Sequence, residues 1–244
     1  MSDEWSPDTH HASRITHHSL GLIVVAAGRG ERFGDDKVWA ELLGRPVLVH
    51  ALEALARPPV ARVALVVAPA RLAEARALAT ALSLPGLPIL VAPGGARRQD
   101  SVRNGLLALG QCAWVAVHDA ARPLATHALL LRTLAAAQAT GAAVAAVPVQ
   151  DTIKRVAQGI VMETLPRAEL WAVQTPQVFR GALLAQAHRA QADDATDDAV
   201  LVERYGARVG VAEGAYDNIK ITTPGDLALA AWLLANRVEA RQGG

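Results

Sequence analysis

Leu22-Ile-Val-Val-Ala-Ala27, running directly into Gly28-Arg-Gly-Glu-Arg-Phe-Gly34, is the stretch on which the fold turns. Six apolar residues without alternation suit a strand buried on both faces, as in a parallel sheet covered by helices. In an open parallel sheet the C-terminal ends of the strands line the ligand crevice, so the loop from Ala26 to Lys37 stands at its mouth. Gly28, Gly30 and Gly34 permit unusual backbone angles and close approach of a ligand. Successive backbone N–H groups there can form an anion nest. Arg29, Arg32 and Lys37 add full positive charges, so the loop reads as a grip on phosphate.

The spacing excludes the commonest phosphate loops. Gly28-x-Gly30-x-x-x-Gly34 has one residue too many before its last glycine for the dinucleotide fingerprint. The second strand ends Val67-Ala68-Pro69 without the carboxylate that would hold a ribose, and Glu53 belongs to a helix. No Gly-Lys-Ser/Thr is present, so the Walker loop fails as well.

Outward from that loop, strand and helix patterns alternate. Strands are expected at Val60 to Ala68, Pro88 to Val91, Trp114 to His118 and Ala143 to Val149. Helices are expected from Pro46 to Leu55, Pro69 to Leu82 and Asp100 to Leu109, and from a Thr126 cap to about Ala139. The rhythm breaks between residues 150 and 170, where a charged segment with two β-like pieces around Gly159 predicts a hairpin leaving the body. The sheet resumes from Trp171 to Phe179. Helices follow at Gly181 to Gln191 and Asp198 to Tyr205, then strands at Arg208 to Ala212 and Ile219 to Thr222. A helix from Pro224 to about Val238 closes the chain. The fold class is α/β: a mostly parallel central sheet with helices on both faces, plus a protruding β-arm. Residues 21–240 read as one domain and residues 1–20 as a disordered leader carrying His10, His11, His17 and His18.

Composition narrows the partners. With 24 basic and 23 acidic residues the net charge is +1, which leaves no footprint for nucleic acid or a membrane surface. Basic clusters must then be local, and local clusters suit a small anion. Hydrophobic residues make up 52% but aromatics only 4%, so Ala, Val and Leu must fill the core. The single Cys112 fits a small core residue in a cytoplasmic protein.

A second cluster, Val117-His-Asp-Ala-Ala-Arg-Pro123, also follows a buried strand. Asp119 there can help hold a Mg²⁺–phosphate complex, or pair with Arg122 to cap a turn. His118 reads as a packed strand end. Asp217-Asn-Ile-Lys220 joins an acid to a base at the end of the sheet region. Neither a Gly-x-Ser-x-Gly elbow nor a His-Glu-x-x-His is present. Many cations without a nucleophile–base pair suit phosphoryl or nucleotidyl transfer, where the attacking phosphate is already an anion.

These segments, with Gly94-Gly95 and Asp100-Ser-Val102, Pro148-Val-Gln-Asp-Thr152, Gln174-Thr-Pro-Gln177 and Thr196-Asp197, resemble the 2-C-methyl-D-erythritol 4-phosphate cytidylyltransferases over residues 20 to 238. The resemblance implies a Rossmann-like nucleotidyltransferase fold and a homodimer formed through the arm. It implies transfer of a cytidylyl group from CTP to the polyol phosphate, with Mg²⁺ on the triphosphate. It assigns Arg32 and Lys37 to the transition state, and Arg167 and Lys220 to the substrate phosphate. Ala26, Ala27, Gly28, Gly95, Ser101 and Ala120 match positions around the cytidine, and Gly30 joins them through the glycine loop. Asp119, Arg122, Thr152, Thr175, Thr196 and Asp217 match other active-site positions, with Asp119 and Asp217 as the metal-side carboxylates. Thr152 and Arg167 would serve the neighbouring subunit. Two positions depart from the family pattern: Asp36 stands where a proline usually precedes the lysine, and Ala96 where an acid often follows the glycine pair. Two other readings stay open on residues alone: a different acceptor such as ribitol 5-phosphate, and a nicotinamide oxidoreductase.

Overall fold

A computed structural model describes residues 19–28, 33, 36–82, 84, 86–190 and 193–242. The leader histidines, Gly30 and Arg32 lie outside the described residues. The chain builds β1 (Leu20–Ala26), a small hairpin of β2 (Glu41–Leu42) and β3 (Arg45–Pro46), and α1 (Val47–Leu55). It continues with β4 (Val60–Val67), α2 (Leu72–Leu82), β5 (Ile89–Pro93), α3 (Arg98–Leu109) and β6 (Trp114–Asp119). Then come α4 (His127–Thr140), β7 (Ala142–Pro148), the arm strands β8 (Lys154–Ala157) and β9 (Ile160–Thr164), and β10 (Trp171–Arg180). The last elements are α5 (Gly181–Ala190), α6 (Asp198–Arg204), β11 (Gly210–Glu213) and α7 (Pro224–Gln242).

Seven strands form the sheet in the order β11-β7-β10-β6-β1-β4-β5. Only β10 runs against its neighbours β6 and β7; every other pairing in this sheet is parallel. The C-terminal ends of β1, β4, β5 and β6 therefore share one edge, and the chain leaves β1 there into the glycine loop.

The uniform apolar run of β1 resolves into two faces. Leu20, Leu22, Val24 and Ala26 pack with Leu48 and Leu52 of α1, Ala75 of α2 and Leu130 of α4. Ile23 points the other way, into a cluster with Val102 of α3, Leu184 of α5 and Leu201 of α6. Both faces are covered, so alternation in polarity has no reason to exist. Phe179 is the largest fully buried side chain, and Ala142, Ala143, Ala145 and Ala146 fill β7, as the scarcity of aromatics requires.

Two expectations need correction, and one element was not foreseen. Ile219 to Thr222 is not a strand: Ile221 N–H donates to Ala121 O at 2.8 Å, and the chain then turns into α7 before any ladder can extend. The β2–β3 hairpin, turning through Leu43 and Gly44 at positive φ, was hidden because two-residue strands leave no periodic pattern. Finally, α3 begins at Arg98, two residues before the expected start, which puts that arginine in the helix's first turn.

The arm is a hairpin closed by a two-residue turn, Gln158 and Gly159 at φ 50 and 79. Two positive φ values match the right-handed twist of the strands. All of β8 and β9 is exposed, including Val156, Ile160, Val161 and Met162.

Candidate active site

A cavity of about 590 Å³ opens at the C-terminal edge of the sheet. Its floor is the end of β1, Val25 to Gly28; its walls are the 95–101 turn into α3, Asp119 at the end of β6, and Lys220 with Thr222 before α7. Lys37 and Val38 close the remaining side. Gly94 is needed beside this floor: a Cβ there would lie 2.2 Å from the Ala27 Cβ. Gly28 is different, since a Cβ on it would meet nothing within 4 Å. Gly95 N–H donates to Ser101 Oγ at 3.0 Å, which sets the turn leading into α3.

Asp119 is the centre of the electrostatics. Ala120 N–H donates to Val25 O at 3.0 Å, so the β6 end is tied to β1. Arg98 Nε and Nη2 donate to Asp119 Oδ1 at 3.2 and 3.1 Å, and Lys220 Nζ donates to Oδ2 at 2.6 Å. Burial alone would raise this carboxyl, but the Arg98 guanidinium and Lys220 ammonium outweigh it and hold it far below the usual carboxylate range. The turn-capping pair with Arg122 does not form: that guanidinium donates to the backbone oxygens of Asn218 and Val173.

Behind Asp119, His118 is fully buried, and burial pushes its imidazole down to about 4. A ring that is neutral at neutral pH fixes the bonding: Nε2–H donates to Arg122 O at 3.1 Å, and Nδ1 accepts from the Thr175 hydroxyl at 3.0 Å. Thr175 Oγ1 in turn accepts from Asp119 N–H at 3.1 Å. His118 is thus the packed strand end expected of it, and Thr175 fixes the Asp119 backbone. Asn218, also buried, donates to Thr175 O at 2.9 Å and Gln174 Oε1 at 3.1 Å, locking the 217–220 segment against β10.

Of the residues singled out from sequence, Ala26, Ala27, Gly28, Lys37, Gly95, Ser101, Asp119 and Lys220 line the cavity. Ala120, Arg122 and Thr175 lie behind its wall. Asp217 does not face it; its carboxylate pairs with Arg237. Thr152 and Arg167 sit exposed at the arm, and Thr196 is exposed before α6. Arg98 is a cavity-wall side chain that nothing in the sequence marks, beyond a position just after two glycines where a helix begins. Its second carboxylate, Asp198, is equally silent.

Among the described residues no three His, Cys, Asp or Glu side chains gather as a metal site. Among the described residues of the cavity wall Asp119 is the one carboxylate, and it already carries two cations. That donor set fits a Mg²⁺ held chiefly by phosphate oxygens, not one caged by protein.

Thr222, on the cavity wall, is held by a capping box. Asp226 Oδ2 accepts from Thr223 N–H at 2.8 Å and Asp226 N–H donates to Thr223 Oγ1 at 3.3 Å. The Thr222 hydroxyl and N–H also donate to Asp226 Oδ2, at 2.7 and 2.8 Å. The Thr222 hydroxyl foremost, with the two amides, lowers the Asp226 carboxyl to about 2. A depressed folded value stabilises the native state above the ordinary carboxylate range and is lost as pH falls through the folded value. Asp226→Ala is expected to cost about 1 kcal/mol of stability at neutral pH. In urea unfolding, the gap between parent and variant should shrink as pH falls from about 4 towards 2; a gap constant with pH would exclude this charge.

Comparison with known proteins follows the same outline. A sequence profile of the family described as 2-C-methyl-D-erythritol 4-phosphate cytidylyltransferase matches residues 20–236. The protein of that name from Dehalococcoides mccartyi is 45% identical over 221 residues, covering 89% of this chain and 97% of its own. Its counterpart from Pelotomaculum thermopropionicum is 46% identical over 234 residues, covering 92% and 96%. Among solved structures, the 4-diphosphocytidyl-2C-methyl-D-erythritol synthase of Anaerococcus prevotii matches with a TM-score of 0.78 and 30% identity, over 90% of this chain and 99% of that one. The 2-C-methyl-D-erythritol 4-phosphate cytidylyltransferase of Thermus thermophilus matches with a TM-score of 0.70 and 35% identity, over 87% and 98%.

Proposed function

The chain belongs to the 2-C-methyl-D-erythritol 4-phosphate cytidylyltransferase family, and on that premise we propose how its crevice performs the reaction. The enzyme transfers a cytidylyl group from CTP to 2-C-methyl-D-erythritol 4-phosphate and releases pyrophosphate, a step of the non-mevalonate route to isoprenoid precursors. Neither the ribitol phosphate nor the oxidoreductase reading is favoured by these relatives.

One observation carries the mechanism. The described cavity wall holds Lys37, Arg97, Arg98 and Lys220 against the single carboxylate Asp119. A site so rich in cations suits two phosphate-bearing substrates. The substrate phosphate is the nucleophile and needs no base; it attacks the CTP α-phosphorus in line, and pyrophosphate leaves from the opposite side. Ala26, Ala27, Gly28, Gly95 and Ser101 hold the cytidine, with Ala120 behind them in the wall. Lys37, together with Arg32 of the same loop, neutralises charge as it grows on the phosphoryl oxygens. Lys220 receives the substrate phosphate. A Mg²⁺ on the triphosphate would meet Asp119 and would supply charge neutralisation. Asp217, paired with Arg237, supports the Lys220 segment instead of a metal.

Thr152 and Arg167 complete the site of a neighbouring subunit in this reading. Its support is the arm itself: a lone two-stranded hairpin with an exposed apolar surface is marginal in water and gains by pairing. Among the described residues no helix is long and apolar enough to cross a membrane. With Cys112 free and buried, we place the enzyme in the cytoplasm.

The test is pyrophosphate release by pure protein with Mg²⁺, across four nucleotides and several polyol phosphates. Release is expected only when CTP and methylerythritol phosphate are both present. Equal turnover with ribitol phosphate would sink the acceptor assignment. Light scattering on the same sample reads the subunit count.

A further inference from the structure

We infer that Arg98 is a positioning residue for this reaction: anchored from behind by Asp198, it holds Asp119 Oδ1 permanently and leaves Lys220 able to exchange between Asp119 Oδ2 and the substrate phosphate. The inference rests on the reading of Asp119 and Lys220 as substrate-side residues.

The two cations on Asp119 are held very differently. Arg98 Nη1 donates to Asp198 Oδ2 at 2.7 Å while Nε and Nη2 donate to Asp119 Oδ1. Asp198 is completely buried in the first turn of α6, and its other oxygen is 3.0 Å from Nε2 of the buried His188 on α5. A buried carboxylate demands a partner, so Asp198 fixes Arg98 in place. One planar guanidinium can satisfy two carboxylates at once; an ammonium is a single point of charge. Lys220, by contrast, has a side chain 41% exposed and reaches Asp119 from the solvent side. Only the lysine end of this pair is open to the crevice; Asp119 itself is buried, so the ammonium can turn to a phosphate only because Arg98 keeps the carboxylate paired when it does.

The charges around the carboxylate support the same division. Arg98 faces Asp119 from α3, Lys220 from the segment before α7, Arg122 from the turn after β6, and His118 is its neighbour in β6. Of these, only Lys220 is both bonded to the carboxylate and substantially open to solvent. Were Arg98 absent, Lys220 would be the only bonded counter-ion of Asp119 among the described residues, and its release to a substrate phosphate would be opposed.

The decisive variant is Arg98→Met combined with Asp198→Asn. Removing both members of the buried pair strands no charge, whereas removing one would. Thermal melting confirms folding, and the two substrates are then read separately. The KM for methylerythritol phosphate is expected to rise about tenfold or more, with CTP affinity by calorimetry within about threefold of the parent. A merely structural Arg98 would disturb both substrates alike, and a direct triphosphate contact would lower CTP affinity first; either pattern overturns the inference. So does a folded variant with both constants within about threefold of the parent. If the paired variant does not fold, Arg98→Lys reads the same split, because its single ammonium cannot span both carboxylates. The unaltered protein runs in parallel: its failure to release pyrophosphate would condemn the proposed function, not the role of Arg98.

Discussion

Lys37→Ala should lower turnover roughly 10²- to 10³-fold, by analogy with loss of one preorganised oxyanion donor. The magnitude follows from placement. Lys37 lies half-buried on the cavity wall, across from the 95–101 turn and Asp119. A cation in such a cleft acts in a lower dielectric than water and needs no reorganisation when charge develops. Its backbone is pinned on both sides. Trp39 N–H donates to Asp36 O at 2.9 Å, and Leu48 N–H donates to Val38 O at the same distance, with Val38 buried in the core. Asp36, which stands where the family usually has proline, lies 3.5 Å from Arg71, whose guanidinium covers the Trp39 ring at 5.3 Å. An ion pair and a stacked ring thus anchor the turn that a proline would have stiffened. Thermal melting of the variant shows that it remains folded. Single-turnover rates with saturating CTP are the measurement; an effect below about threefold would remove Lys37 from the mechanism.

Lys220→Ala is the second large effect, expected at about 10²-fold in kcat/KM for methylerythritol phosphate. Charge-assisted bonds to phosphate are the strong class of hydrogen bond, and Lys220 is the cation assigned to that phosphate. Asp119 would keep Arg98, so no buried charge is stranded and the protein should stay folded. The loss should fall on the polyol phosphate, with CTP binding by calorimetry little changed. Lys220→Arg should recover only part of it, because a longer planar group cannot occupy the same point beside Asp119 Oδ2. Equal losses for both substrates would reassign Lys220 to the triphosphate.

The sheet and its edge were legible because buried parallel strands write continuous apolar runs. β1, β4, β6 and β7 stand within two residues of their expected bounds. Thr126 caps α4 as expected, accepting from Leu129 N–H at 3.2 Å. The last strand expected, at residues 219–222, failed for a physical reason. Its apolar and β-branched residues, Ile219, Ile221 and Thr222, serve packing against α7 and capping of α7 rather than a ladder.

By itself the sequence determined the architecture, the location of the crevice and two of the lysines that line it, Lys37 and Lys220. Those follow from local pattern: apolar period, glycine placement and short motifs at strand ends. Only the tertiary structure decided which charge pairs with which. Asp119, 21 positions from Arg98 and 101 from Lys220, carries both, while Asp217, three residues before Lys220, is turned away to Arg237. An ion pair leaves no periodic mark on the chain, because its partners are chosen by which strand ends and helix turns meet in space. The pairing of Asp119, and with it the division between a fixed and an exchangeable cation, therefore belongs to the fold.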